Sequence, residues 1–448
     1  MRKRIRVLGI LIMIFVMCLC GCQKDSQSGA KYKEIDYTQI DYKNEKASYA
    51  ERKKEIVVIA EETIAEEVRL TALWYMRSQD EVKVTIEILS SDKQERAGQL
   101  QELRTEIMAG KGPDLYLLET QNEAVFETDR KEPLFGNVNK AIESGFFDDL
   151  TEYMKEDEFW KNNSLSEVFL KPGQMKEEQY VLALSCTYYV LVGMADEEIE
   201  LGDSIGEWMD TIRFSGNQAL KEDCTIMYFQ AARMMQPAID YNEKQVVFEK
   251  EKWVSWILED VIPYREEVWS MEHTAEEQYY LWQVLQVVNE IEMTNARYHV
   301  CESVPGLKGE YKASIESWGA VGRSSEYKQN AYDFLMLFLN NYVANANQEL
   351  EGGMLRYPGV DECIGVSCVP VYKEAFQKFM ERKGISGAQQ EVILESFDQI
   401  DYVYFPTDVE QMVHNELNEK VFRNDSETSI VEEIADKAEE KYEMIAKE

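Results

Sequence analysis

Side chains able to do chemistry are unevenly stocked in this chain. Three histidines, His273, His299 and His414, stand against 84 aspartates and glutamates. The stretch His414-Asn415-Glu416-Leu417 lacks the second histidine that a helical zinc motif places on the same face. No Gly-x-Ser-x-Gly elbow and no Walker loop occurs, so nucleophilic and phosphate-cradling chemistry have no local signature. Each histidine therefore reads as a surface or hydrogen-bonded residue, and no metal or cofactor is expected. A glycosidase pair is defined by carboxylate separation, about 5 Å or about 6.5–9.5 Å, which spacing in sequence does not give. The chain is read as a non-enzyme, with a secreted glycoside hydrolase as the minor alternative.

One cysteine has a definite chemical context. Arg2, Lys3, Arg4 and Arg6 make a basic start, and residues 7–19 are apolar apart from Gly9 and Cys18. That run is shorter than the roughly 20 residues a membrane-spanning helix needs; a basic head followed by a short apolar stretch is the pattern of a secretory signal. It ends Leu19-Cys20-Gly21-Cys22, which resembles a bacterial lipobox, an aliphatic residue and two small ones before the lipidated cysteine. Residues 1–22 are read as a lipoprotein signal with Cys22 as the lipidation site; an ordinary cleaved signal or an uncleaved anchor are the other readings. Two or three acyl chains would anchor stably where one is marginal. Residues 23–55 are polar and aperiodic and read as a flexible tether with a mean reach of roughly 30 Å. With Cys22 lipidated, Cys186, Cys224, Cys301, Cys363 and Cys368 remain, an odd number that cannot all pair within the chain. They read as buried small residues or one labile pair, Cys363 and Cys368 being near enough in sequence for geometry to decide.

Composition narrows the partners. The chain is 45% apolar, normal for a globular protein, and carries a formal charge of −36. Removing the four basic residues of the leader leaves about −40. Such acidity argues against nucleic-acid binding and against lying flat on anionic lipid; it suits a dispersed extracellular surface.

Residues 56–120 show how the chain positions its groups. Ile56-Val57-Val58-Ile59 reads as a buried strand. Ile64, Val68, Leu73 and Met76 then form one helical face, behind acidic first turns. Val82, Val84, Ile86 and Ile88 alternate with polar residues as a strand does. Ser90, Ser91 and Asp92 can cap a helix with the face Leu100, Leu103, Ile107. Gly110-Lys111-Gly112-Pro113 stops it, and residues 114–118 read as a third strand. Two crossover units imply a parallel sheet, and ligands of open α/β sheets bind beyond the carboxyl ends of the strands. That points to residues 60–63, 89–91 and 119–121. Asp114, at the amino end of its strand, is read as turn chemistry.

The stretch from Leu103 to Leu115, with Met108-Ala109-Gly110-Lys111-Gly112-Pro113-Asp114, resembles the helix-turn-strand signature of family 1 extracellular solute-binding proteins, the group that includes maltose-binding protein. Four further blocks follow in that family's order. Residues 175–189, with Gln179-Tyr180-Val181-Leu182-Ala183-Leu184, resemble a strand crossing between lobes. Residues 298–322, with Val304-Pro305-Gly306 and Ser317-Trp318-Gly319-Ala320-Val321, resemble the return crossing. Residues 330–339 resemble the helix after it, and residues 429–448 the closing helix. Residues 190–300 match loosely. The resemblance implies an α/β, two-lobed periplasmic-binding-protein-like (type II) fold with a hinge. Its ligand would lie in the interlobe cleft, with lobe 1 from residues 56–186 and 298–345 and lobe 2 from residues 187–297 and 346–448. It implies a monomeric capture component of an ABC-type importer, lipid-anchored at the cell membrane on its extracellular (or periplasmic) side. Such a protein binds a small solute, most readily a sugar or oligosaccharide, and serves a membrane permease. A surface lipoprotein that senses its solute without transport shares the same chemistry.

A polar cleft needs flat apolar faces and a few fixed polar groups, and the chain has 8 tryptophans and 25 tyrosines. Trp318, in the return-crossing block, is the leading stacking candidate, a core tryptophan being the competing reading. Of Tyr188 and Tyr189, alternation would turn one to the cleft and one into the lobe. Tyr404 lies in a segment resembling the second-lobe rim. Glu61, Glu62 and Thr120 sit at strand ends, although either glutamate could simply favour a helix start. Trp74, Trp253 and Trp256 read as core.

Overall fold

The computed structural model describes residues 52–447 except 80, 121–130, 163–164, 195–200, 224–229, 271–278, 340–367 and 423–427. Cys22, the tether up to Glu51, Cys224, Cys363, His273 and the expected lobe limit at 345/346 lie outside the described residues. Among the described residues no helix is long and apolar enough to cross a membrane.

The opening region folds as its periodicity suggests. Strand β1 (Lys54–Glu61) runs parallel to β2 (Val82–Leu89) and to β3 (Leu115–Glu119). Between them lie helices α1 (Ala65–Ser78) and α2 (Lys93–Met108). The Asp92 carboxylate accepts from the amides of Gln94 and Glu95 at 3.0 and 2.9 Å, satisfying donors that a helix start leaves orphaned. Gly110, at φ +70°, ends α2 in the left-handed conformation that glycine adopts without steric cost. Asp114 ties the strands' amino ends together. It accepts from the Val57 amide at 2.7 Å and from the Ser325 hydroxyl at 2.5 Å.

The larger sheet is completed by β4 (Leu182–Thr187), β8 (Lys312–Val321), β9 (Val369–Pro370) and β10 (Tyr402–Tyr404). Its order is β9-β4-β8-β3-β1-β2, with β10 also paired to β8. A smaller sheet has the order β6-β5-β7, from β5 (Tyr189–Gly193), β6 (Tyr279–Gln283) and β7 (Val300–Ser303). The chain passes from larger to smaller sheet at Tyr188 and returns between Ser303 and Lys312. Beside the smaller sheet a second core gathers Trp208, Trp253, Trp256 and Tyr279. Helices α4 (Asp408–Glu416) and α5 (Thr428–Lys447) contribute Val413, Ile434 and Tyr442 to it. The molecule is thus a two-lobed α/β fold.

Strand β8 is the spine. It is antiparallel to β3 over Ser317–Val321 and to β4 from Ser314 to Gly319, and parallel to β10 over Lys312–Ser314. Gly319 lets the Leu335 side chain pack closely on the sheet, where a Cβ would displace its terminal methyl. The register against β4 shifts between Ile315 and Trp318, a bulge that bends the strand and re-aims its side chains.

Candidate functional site

The carboxyl ends of β1 and β3, with the bulge of β8, bring together a line of polar side chains. Glu61 ends β1 and is 3% exposed; both its oxygens accept from Arg96, at 2.7 and 2.9 Å. A bidentate guanidinium–carboxylate pair is geometrically specific, and burial of both charges makes the partnership obligatory. Beside it, the Thr63 hydroxyl donates to Glu119 at 2.5 Å. Burial raises the Glu119 carboxyl above its usual range, and the neighbouring Glu61 charge adds to this; the Thr63 hydrogen bond opposes it. Thr120 leaves β3 by donating its amide to the Glu316 carbonyl at 2.7 Å and its hydroxyl to the Ile315 carbonyl. Glu316 lies in the bulge and is 9% exposed. Behind it, the Ser185 and Ser317 hydroxyls meet at 2.5 Å.

The line continues at the change of sheet. The Arg233 guanidinium lies 4.9 Å from the Tyr189 ring centre and 6.0 Å from that of Tyr404, and donates to the Ser314 hydroxyl at 3.2 Å. Tyr404 stacks on Tyr402 at 5.9 Å, and Tyr189 accepts from Gln283 at 3.1 Å. The arginine thus lies over aromatic rings on the strands where the chain changes sheet, a cation–π arrangement for which arginine and lysine are not interchangeable.

The sequence-derived candidates divide. Glu61, Thr120, Tyr189 and Tyr404 fall on this line. Glu62 is exposed at the start of a single 3-10 turn and accepts from the Ser91 amide at 2.6 Å. That bond lowers its pKa and ties the ends of β1 and β2. Tyr188 is 1% exposed with its hydroxyl 3.2 Å from Ser396, whereas Tyr189 is half-buried. Trp318 is 2% exposed, its ring packed on Phe135, Phe147 and Phe405 at 6.1, 5.7 and 6.3 Å. Beside it is a cavity of about 20 Å³, also lined by Glu119, Thr120 and Thr407, room for about one water and not for a sugar ring. In this conformation the core reading of Trp318 prevails.

Arg96 and Arg233 escape the sequence reading. The signal for Arg96 is positional: four residues before Leu100, it continues the Leu100-Leu103-Ile107 face into the core. Arg233 sits within Ala231-Ala232-Arg233-Met234-Met235, an arginine in an otherwise apolar run, in the part of the chain that resembles the family least. Among the described residues no group of three His, Cys, Asp or Glu could hold a metal ion. Cys186, Cys301 and Cys368 are buried free thiols, and burial pushes that of Cys301 up to about 12. His414 lies 3.0 Å from Asn418 through its Nε2.

No family model matches the sequence, and no curated protein matches it. Solved structures do. An extracellular solute-binding protein of family 1 from Alicyclobacillus acidocaldarius superposes with a TM-score of 0.53 at 13% identity, covering 88% of this chain and 98% of its own. The cyclic α-maltosyl-1,6-maltose binding protein of Arthrobacter globiformis gives 0.51 at 13% identity, over 87% and 98%. The protein CpMnBP1 with mannotriose bound gives 0.50 at 12% identity, over 87% and 100%. At such identities the likeness is one of fold, and it bears out the resemblance seen in the sequence blocks. The chain has the fold of the family 1 extracellular solute-binding proteins of ABC importers, spanned almost from end to end.

Proposed function

We propose that this chain is the solute-binding lipoprotein of an ABC-type importer. It captures a small polar solute between two lobes and presents it to a membrane permease. The observation that carries the reading is the line of fixed donors and acceptors from Glu61–Arg96 through Glu119 and Glu316 to Arg233. It lies where open α/β sheets bind ligands, within a fold shared with solute-binding proteins. A carbohydrate is the class favoured: carboxylates and an arginine pair with hydroxyls, and the half-buried Tyr189 supplies a ring, whereas Tyr404 is 5% exposed and backs Arg233. The lobes are proposed as residues 56–186 with 298–345, and residues 187–297 with 346–448, except that β7 pairs in the smaller sheet and β9 and β10 pair in the larger one. Closure would occur about the segments where the chain changes sheet. Cys22 would carry the lipid, holding the molecule on the outer face of the cell membrane.

The test is thermal unfolding of the full-length protein against a panel of sugars, oligosaccharides, amino acids and polyamines. A ligand at about a thousand times its Kd stabilises the fold by about 4 kcal/mol. That raises the midpoint by several degrees. A shift with one sugar class is expected. A shift with a polyamine or amino acid alone would overturn the carbohydrate assignment. No shift by any solute, with added oligosaccharide being cleaved, would favour the hydrolase.

A further inference from the structure

Helix α2, the turn and helix α3 (Val138–Glu143) and the facing ends of α4 and α5 enclose a groove of about 750 Å³, which shares Leu134, Phe135, Thr407 and Asp408 with the cavity beside Trp318. Its volume is within the range of small-molecule sites, roughly 300–1,000 Å³. The floor is apolar: Ile107, Phe146, Val409 and Ile445 line it, and Met108 and Met444 stand on opposite sides. These two methionines are 74% and 60% exposed, two of only four large apolar side chains at least 60% exposed among the described residues. A soluble surface leaves flexible methionines uncovered together where it accommodates ligands of variable shape.

The charge of the rim is opposite to that of the molecule. In a chain of net charge −36, the groove is lined by Arg104, Lys140 and Lys441 against one acid, Asp408. Arg104 pairs with Glu132 at 2.6 Å. Glu143 is shared between Lys140, at 2.8 Å, and Lys244, so one positive charge is left over there. Lys441, exposed on α5, supplies another. An apolar trough rimmed by cations on an acidic protein selects an apolar body with an anionic head. A neutral sugar would gain little from such a floor.

We propose that this groove, between elements assigned to the two lobes and adjoining the cavity beside Trp318, is a ligand site for an amphipathic organic anion: an aromatic or aliphatic body seated between Met108 and Met444, its carboxylate or sulfonate facing Lys441 and Lys140. The proposal does not depend on the identity of the transported solute.

The probe is anilinonaphthalene sulfonate, with neutral phenylnaphthylamine as comparison, titrated by fluorescence into the full-length chain. Saturable binding of the sulfonate is expected, weakened at least tenfold by Met444→Glu and by Lys441→Glu, about 1.4 kcal/mol. Met293→Glu, at a methionine 72% exposed elsewhere, is expected to change nothing. With methyl-labelled methionine, the Met108 and Met444 resonances are expected to move with probe while that of Met293 stays. Absence of saturable binding, equal weakening by Met293→Glu, or shifts spread over all exposed methionines would overturn the site. Equal affinity for the neutral probe would overturn its anion selectivity. All three substitutions fall on exposed side chains, and an unchanged unfolding midpoint verifies that each variant folds.

Discussion

Replacing Trp318 with alanine separates a core tryptophan from a ligand platform. The side chain is 2% exposed and meets three aromatic rings. Burying roughly 150–250 Å² of aromatic surface at about 25 cal/mol per Å² is worth about 4–6 kcal/mol. Each well-placed ring pair adds about 0.5–1.5 kcal/mol, and partial collapse of the site recovers some of the loss. The expected destabilisation is about 3–5 kcal/mol, the usual range for a buried aromatic truncated to alanine. Urea unfolding of the full-length protein measures it. Solute affinity, read by calorimetry where the variant remains folded, is expected to stay within about threefold, or about 0.65 kcal/mol. Trp318→Phe should lose much less stability, because it keeps a ring in the cluster. A stability loss below about 1 kcal/mol together with at least tenfold weaker binding would refute this reasoning. It would show that the indole turns out to meet the solute in a conformation other than this one.

Three further outcomes are expected. Arg96→Ala strands the Glu61 carboxylate at 3% exposure and should cost about 3–5 kcal/mol in urea unfolding; Arg96→Met with Glu61→Gln should cost markedly less, and equal losses would deny the pair its role. Glu119 holds its proton more tightly in the folded chain than its ordinary value of 4.5 allows, so the folded state binds more protons than the unfolded one above that value and stability falls as pH rises. Glu119→Gln, which still accepts from Thr63, should raise the unfolding midpoint by a margin that grows from acid pH towards neutrality; a margin independent of pH contradicts the raised carboxyl. Cys22→Ser should move the protein from the membrane fraction to the medium (or periplasm), and continued membrane association would remove the lipid anchor from the proposal.

The sequence by itself determined the elements whose periodicity is local. The β1-α1-β2-α2-β3 start, the Asp92 cap and the Gly110 stop follow from side-chain alternation, capping chemistry and left-handed backbone, each settled within a few residues; Asp114, read as turn chemistry, instead ties strands through Val57 and Ser325, contacts that only the tertiary structure makes. The order of family-like blocks pointed to the fold, because β8, with Gly319 inside it, meets β3 and β4 in a fixed register. Tertiary structure alone decided which candidates face one another. Trp318 and Tyr189 are both aromatic residues at crossings. One, in the larger sheet, is sealed by Phe135, Phe147 and Phe405, and the other, in the smaller sheet, carries Arg233 on its face, because different neighbours distant in sequence arrive at each. The Arg96–Glu61 pair and the Arg233 stack join residues 35 and 44 positions apart, and no local period reports a contact of that range. The methionine-lined groove is likewise invisible in sequence, since its walls come from α2 and α5, at opposite ends of the folded chain.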